Sequence, residues 1–349
     1  MEYKETDPVR LSEDGRSIIA IDQRFLPEKT EYLKISRIEE MVDAIKTLAV
    51  RGAPCIGVFA GYSMAVLALD INKDHESFVA DLKRCGALLV ASRPTAVNLS
   101  WAVNRQLKLI DGMKDAPAED ISKSLMEEAV RIHEEDISMC HKIAENGLSL
   151  LKDGCGILTH CNAGALATTR YGTGLGPMLL GAKKGMKFKV YSDETRPLLQ
   201  GMRLTAYELI RAGVDETVIC DNMAGLLMKQ KKIDAVMVGC DRVAANGDTA
   251  NKIGTSSLAV LAKYYGIPFY VLGPFSSIDL SCKTGEDIVI EERDPKEISS
   301  LYFERDFSIE GVKYYNPAFD VTDNALITAI VTDKGILYPP YTESIKNAK

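Results

Sequence analysis

The chain has 349 residues, 46% of them hydrophobic, enough for one large core or two moderate ones, and the length favours two. A net charge of −7 without a Lys/Arg block excludes nucleic acid and anionic membrane surfaces as expected partners. The start, MEYKETDPVRLSEDG, lacks a basic segment followed by an apolar run, and the longest apolar stretches are too short or too Gly-broken to span a bilayer, so the expected location is the cytoplasm.

Residues 16 to 35 alternate apolar and polar around a Pro break, which predicts a hairpin or two short strands. From Ser36 the apolar period becomes three to four. Segments 37–50, 55–71, 75–92, 97–115 and 118–150 are expected helices, with Pro54, Pro94 and Pro117 at or near their starts.

After Gly154 the texture changes to short apolar runs that stop at a polar or small residue and hand over to a helix. CGILTHCN (155–162), KFKVYSDE (187–194), ETVICDN (216–222), IDAVMVGCD (233–241) and IPFYVLG (267–273) read as buried parallel strands, with GILYPP (335–340) a late addition. Helical patterns lie between them near 163–183, 197–212, 222–230 and 253–265. The expected fold is therefore α/β: a small β plus helical N-terminal domain over 1–146, then a Rossmann-like, doubly wound parallel-sheet domain over 147–349, linked by the helix 118–150.

Open parallel sheets bind ligands beyond the carboxyl ends of their strands. Those ends carry His160-Cys161-Asn162, Ser192-Asp193-Glu194, Cys220-Asp221-Asn222, Gly239-Cys240-Asp241 and Gly273-Pro274, a polar, thiol-rich rim. A strand-end cysteine facing a helix N-terminus has a route to a lowered thiol pKa, although a packed thiol is the commoner use of such a residue. Asp241 emerges from the apolar run AVMVGC, where a turn cap accounts for it as readily as chemistry does. Arg51-Gly52-Ala53-Pro54 aligns a cation, a flexible residue and a helix-starting proline, which suits an anion, and Arg93 and Asn251-Lys252 are weaker signals of the same kind.

Other patterns point away from chemistry. The eight cysteines contain no CxxC pair and the four histidines form no ligand spacing, so neither a metal site nor a disulfide scaffold is expected. The run YGTGLGP (171–177) does not directly follow a strand, as a dinucleotide fingerprint must, and Asp193-Glu194-Thr195-Arg196-Pro197 reads as a helix start.

RGAPCIGV (51–58), SRPTAVNLSWAV (92–103), THCNAGALAT (159–168), SDETRPLLQGMRLTAYEL (192–209) and VGCDRVAANGDTANKIGT (238–255) stand in the order found in methylthioribose-1-phosphate isomerases, which the chain resembles from about Asp22 to Tyr338. That family is related to ribose-1,5-bisphosphate isomerases and to regulatory subunits of the translation-initiation nucleotide exchange factor, so resemblance alone leaves the function open among them. The resemblance implies Cys161 as catalytic thiol, Asp241 as proton donor, substrate contacts from Arg51, Gly52, Ala53, Arg93, Gln200, Asn251 and Lys252, and a homodimer. Every one of these positions holds the family's residue, which weighs against a non-catalytic regulatory subunit.

The implied reaction converts 5-methylthioribose 1-phosphate into 5-methylthioribulose 1-phosphate in methionine salvage, with no cofactor and no metal because the shift is redox-neutral. The anomeric oxygen carries phosphate, so ring opening needs an acid at the ring oxygen. A carboxyl serves only if an apolar site keeps it protonated, the role expected of Asp241, with Cys161 as base or assistant.

Overall fold

The structure, a computed structural model, describes residues 7–69, 74–94, 96–114, 116–305 and 308–349. Its chain divides into two compact units, one built from 7–139 with Ala165–Arg170, the other from Cys140–Gly164 with Tyr171–Lys349.

The first unit opens with a three-stranded antiparallel sheet, β1 (Val9–Leu11), β2 (Ile18–Ile21) and β3 (Tyr32–Ile35), in sequential order. The alternating residues of 16 to 35 form two of these strands, as expected, and β1 is a third that the pattern left out. Four helices follow, α1 (Ile38–Lys46), α2 (Ala53–Leu69), α3 (His75–Ser92) and α4 (Val97–Asp111). Helix α2 is apolar on every side, and Cys55, Ile56, Phe59, Met64 and Ala65 along it are wholly buried, so it is the axis of this unit's core. The long helix α5 (Ala118–Leu148) begins in this unit, and the division between units falls along it after Met139. No helix among the described residues is long and apolar enough to cross a membrane.

The second unit is built on a seven-stranded sheet. Its strands β4 (Gly156–Thr159), β5 (Lys189–Asp193), β6 (Asp215–Ile219) and β7 (Ala235–Val238) alternate with helices α6 (Gly176–Lys183), α7 (Ala206–Arg211) and α8 (Ala224–Lys229). Two short strands, β8 (Arg242–Ala244) and β9 (Thr249–Lys252), then precede α9 (Thr255–Tyr265), β10 (Phe269–Leu272), β11 (Ile278–Asp279) and α10 (Lys296–Ser299). The chain closes with β12 (Phe319–Thr322), β13 (Ala329–Thr332), β14 (Gly335–Leu337) and α11 (Tyr341–Asn347). The large sheet runs β14-β13-β10-β7-β4-β5-β6 and is parallel except for β14, which turns back against β13. Strands β4, β7, β10 and β13 are buried along their whole length, which is why each reads as an apolar run rather than an alternation.

Three departures from the sequence expectation matter for the site. Residues 163–175 are not helical apart from one 3-10 turn at Ala165–Ala167, and α6 starts only at Gly176. Tyr171 and Gly172 both take positive φ, and a side chain on Gly174 would lie 2.9 Å from the Gly239 backbone nitrogen, so the glycine run permits close packing of this loop against the end of β7. The pattern over 197–212 is broken by a π-helical turn, Gly201–Thr205, ahead of α7. Finally, β8 and β9 belong to a second sheet, β11-β8-β9-β12, that no apolar run foretold.

Candidate active site

Strands β4 and β7 are neighbours, with Leu158 opposite Val236, so Cys161 and Asp241 leave the same edge of the sheet from adjacent strands. Past β7 the chain does not enter a helix. It forms the β8–β9 hairpin, and the Asp241 N–H donates to the Ala250 carbonyl at 2.9 Å. Arg242 pairs with Ala250, which sets Asn251 and Lys252 next to the strand-end aspartate. The strand-end set thus gains a second contributor, because one hairpin carries Asp241 at the start of its first arm and Asn251-Lys252 on its second.

Cys161 sits at φ 62°, in the left-handed region that a residue with a side chain rarely adopts. The turn is held from both sides. Its N–H donates to Thr195 Oγ1 at 2.9 Å, and its carbonyl accepts from Thr205 Oγ1 at 2.5 Å. Thr195, also at positive φ, donates its hydroxyl to the Asp193 carbonyl at 3.0 Å, while its N–H and that of Arg196 donate to the two carboxylate oxygens of Asp221 at 2.7 and 2.8 Å. Asn162 follows with a bond from its amide to Glu208 at 2.8 Å. The cysteine is partly exposed within this otherwise fixed loop.

Gln200 stands at the entrance of the π-helical turn whose last residue is Thr205. Its side chain is buried and its Oε1 has no hydrogen-bond partner among the described residues, an acceptor open to a ligand. Asn251 Nδ2 donates to Thr255 Oγ1 at 3.1 Å, and Thr255 donates to the Lys252 carbonyl at 2.6 Å. The Lys252 ammonium lies 4.7 Å from the centroid of the Phe319 ring. Asp320 accepts from the N–H groups of Gly254 and Ser256 at 2.8 and 3.0 Å and so fixes the start of α9; burial raises its pKa, against the pull of those two bonds.

In the first unit, Gly52 has φ 92° immediately before α2, and Ala53 and Pro54 open that helix. A side chain on Gly52 would lie 2.3 Å from the Ala167 carbonyl oxygen, so the backbones of the two segments touch there. Arg51 precedes this contact, and Arg93 ends α3 with its N–H on the Val90 carbonyl.

The chain matches the Initiation factor 2 subunit family over residues 49–339. It is 54% identical over 345 residues to the methylthioribose-1-phosphate isomerase of Symbiobacterium thermophilum, an alignment covering 98% of this chain and 96% of that protein. The chain belongs to the Initiation factor 2 subunit family. The 5-deoxyribose 1-phosphate isomerase of Petrotoga mobilis is also 54% identical, over 97% of this chain and 98% of its own length. The crystal structure of 5-methylthioribose 1-phosphate isomerase from Pyrococcus horikoshii superposes with a TM-score of 0.93 at 42% identity, covering 99% of this chain and 96% of that one. The chain is accordingly an enzyme of the isomerase class.

Sequence reading did not single out His160, Thr195 or Thr205 as parts of this candidate site. His160 is buried between Asp193 and the Ile253 carbonyl, 2.8 Å from each. Only its position beside Cys161 at a strand end pointed to it, since its partners lie 33 and 93 residues away.

Proposed function

We propose that this isomerase acts on a ribose 1-phosphate bearing an uncharged group at C5, and that 5-methylthioribose 1-phosphate is the preferred substrate, converted into 5-methylthioribulose 1-phosphate in methionine salvage. The observation that carries the reading is the pairing of Cys161, held in a left-handed turn, with Asp241 at the end of the adjacent strand. Relatives named for the methylthio and the 5-deoxy sugars are equally similar to this chain, at 54% identity, so 5-deoxyribose 1-phosphate is the second reading. A second phosphate at C5 would need a further cation cluster, and the cations of the matched motifs are accounted for by one.

In this proposal Asp241 is the neutral acid that protonates the ring oxygen, and Cys161 assists removal of hydrogen from C2. Arg51, Arg93, Asn251 and Lys252 hold the phosphate dianion, with the backbone of Gly52 and Ala53 helping and Gln200 accepting from a sugar hydroxyl. The roles of Arg51, Gly52, Ala53 and Arg93 rest on resemblance. The shift is intramolecular and redox-neutral, so its balance calls for no cofactor. The working form is a homodimer in the cytoplasm.

The test is a rate comparison on 5-methylthioribose, 5-deoxyribose and ribose 1-phosphates and ribose 1,5-bisphosphate. The methylthio sugar is expected to give the highest kcat/KM. A preference for the bisphosphate overturns the uncharged C5 group, and turnover of none of the four together with tight binding of a protein partner favours a regulatory subunit.

A further inference from the structure

His160 touches three loops at once. It follows β4 directly, its ring is buried, and each ring nitrogen has one partner at 2.8 Å: Nδ1 meets Asp193 Oδ2 at the end of β5, and Nε2 meets the Ile253 carbonyl just past Lys252. A carbonyl oxygen only accepts, so Nε2 carries hydrogen and donates, which leaves Nδ1 to share one proton with Asp193. Burial works against an imidazolium, yet the Asp193 carboxylate outweighs it and the His160 pKa lies above its ordinary value. The other oxygen of Asp193, Oδ1, is buried without a partner among the described residues, so His160 is the side-chain partner this carboxyl has there.

Each bond continues toward a residue of the proposed site. On one side, the Asp193 carbonyl accepts the Thr195 hydroxyl, whose oxygen accepts the Cys161 N–H. Gly201 is pressed against that carbonyl so closely that a side chain there would overlap it, which leaves Asp193 no room to shift. On the other side, Ile253 lies between Lys252 and Gly254. Gly254 has φ 103°, and a side chain on it would come within 3.0 Å of the His160 ring. Asp320 accepts from the Gly254 and Ser256 N–H groups of the same turn.

We propose that His160 is the positioning residue of this site, a buried spacer whose Asp193 bond fixes the Cys161 turn and whose Ile253 bond fixes the Asn251-Lys252 turn. The inference rests on the isomerase reading above and adds to it a division of labour: one ring nitrogen serves the chemical step, the other serves anion binding.

Two variants separate the two bonds. His160→Gln reaches the Nε2 position and keeps a donor for Ile253 while losing the Asp193 bond. His160→Asn places its amide where Nδ1 stood and no longer reaches Ile253. For His160→Gln, kcat falls about tenfold or more with KM near that of the wild type, and for His160→Asn, KM rises about tenfold or more with kcat changed far less. A merely structural histidine would instead lose both parameters together in both variants, or neither, and either result overturns the assignment. If the His160 variants show no cooperative melting transition, Asp193→Leu is the deciding variant: it keeps much of the shape but offers Nδ1 no hydrogen-bonding partner, is expected to reproduce the low-kcat, unchanged-KM pattern, and overturns the assignment if its kcat is that of the wild type. A wild-type enzyme inactive on both the methylthio and the deoxy sugar phosphates overturns the function and this inference with it, whereas an active wild type with an uncrossed pattern overturns the inference alone.

Discussion

Thr205 donates its hydroxyl to the carbonyl of Cys161 at 2.5 Å, tying the last residue of the π-helical turn to the strained turn that presents the thiol. A π turn inserted ahead of α7 widens the helix by one residue and turns Thr205 toward β4. Thr205→Val keeps the shape and removes the donor, leaving the carbonyl of a left-handed residue without this bond. Turnover is expected to fall about tenfold, in line with the roughly 1–1.5 kcal/mol of one hydrogen bond, with Thr205→Ser close to wild type. Steady-state kinetics of the two variants checks this, and equal activity of Thr205→Val would detach the π turn from catalysis.

Cys161→Ser and Asp241→Asn test the chemical pair directly. Both keep size and hydrogen-bonding capacity, and both remove a transferable proton of suitable acidity. Each is expected to lower kcat by roughly 10²–10⁴-fold, the range of one acid–base group, with little change in KM. Full activity of both would remove the two residues from the mechanism. A proton route through an enediol also places solvent deuterium at C1 of the ketose, read by NMR after reaction in deuterated water.

How much of this was legible in the sequence depended on how each piece announces itself. Strands β4, β7 and β10 are buried in a parallel sheet, so their apolar runs stop where the chain leaves the sheet, and Cys161 and Asp241 could be read off those stops. The β8–β9 hairpin could not be read that way. Its arms, RVA and TANK, are only three and four residues long and mix polar with apolar residues, and their regularity comes from pairing with each other and with β12. Likewise 163–175 has helical spacing, but the loop turns back so that Gly172, at positive φ, lies against Ala163 and Gly164 while Gly174 packs on the end of β7, which no local pattern encodes. The His160 contacts were illegible for the same reason: Asp193 and Ile253 come to it only through the sheet order.

Gly52 and Gly15 separate conformational strain from close approach within the first unit. Gly15 has φ 67° with nothing near a prospective side chain, so Gly15→Ala carries only the cost of a left-handed residue, roughly 1 kcal/mol. Gly52 has φ 92°, and a side chain on it would lie 2.3 and 2.4 Å from backbone atoms of Ala167, which cannot rotate away. Gly52→Ala is therefore expected to cost about 2–4 kcal/mol, strain and overpacking together, measured by urea denaturation. Equal costs for the two variants would mean that the segments at Gly52 and Ala167 separate easily.

Asp136, on α5, gives the clearest link between pH and stability. It is buried, and it accepts from Thr169 Oγ1 at 2.5 Å, a bond that joins α5 to the Ala165–Arg170 segment. Burial raises its pKa from 3.8 to about 6, and the Thr169 bond offsets only part of that. The sign follows from which state gives up the proton first. Between pH 4 and 6 the unfolded chain is already ionised here while the folded chain still holds its proton, so the folded state binds more protons and loses stability as pH rises. The contribution is fully present below about pH 4 and gone above about pH 6, a shift of roughly two units or about 3 kcal/mol. Asp136→Asn has no such titration and keeps an amide oxygen for Thr169. Stability measured by urea denaturation for both proteins from pH 4 to 7.5 is expected to show the variant gaining about 3 kcal/mol on the wild type across that range. Parallel pH profiles would mean that Asp136 is ionised in the folded protein throughout, and that a cation rather than Thr169 holds it.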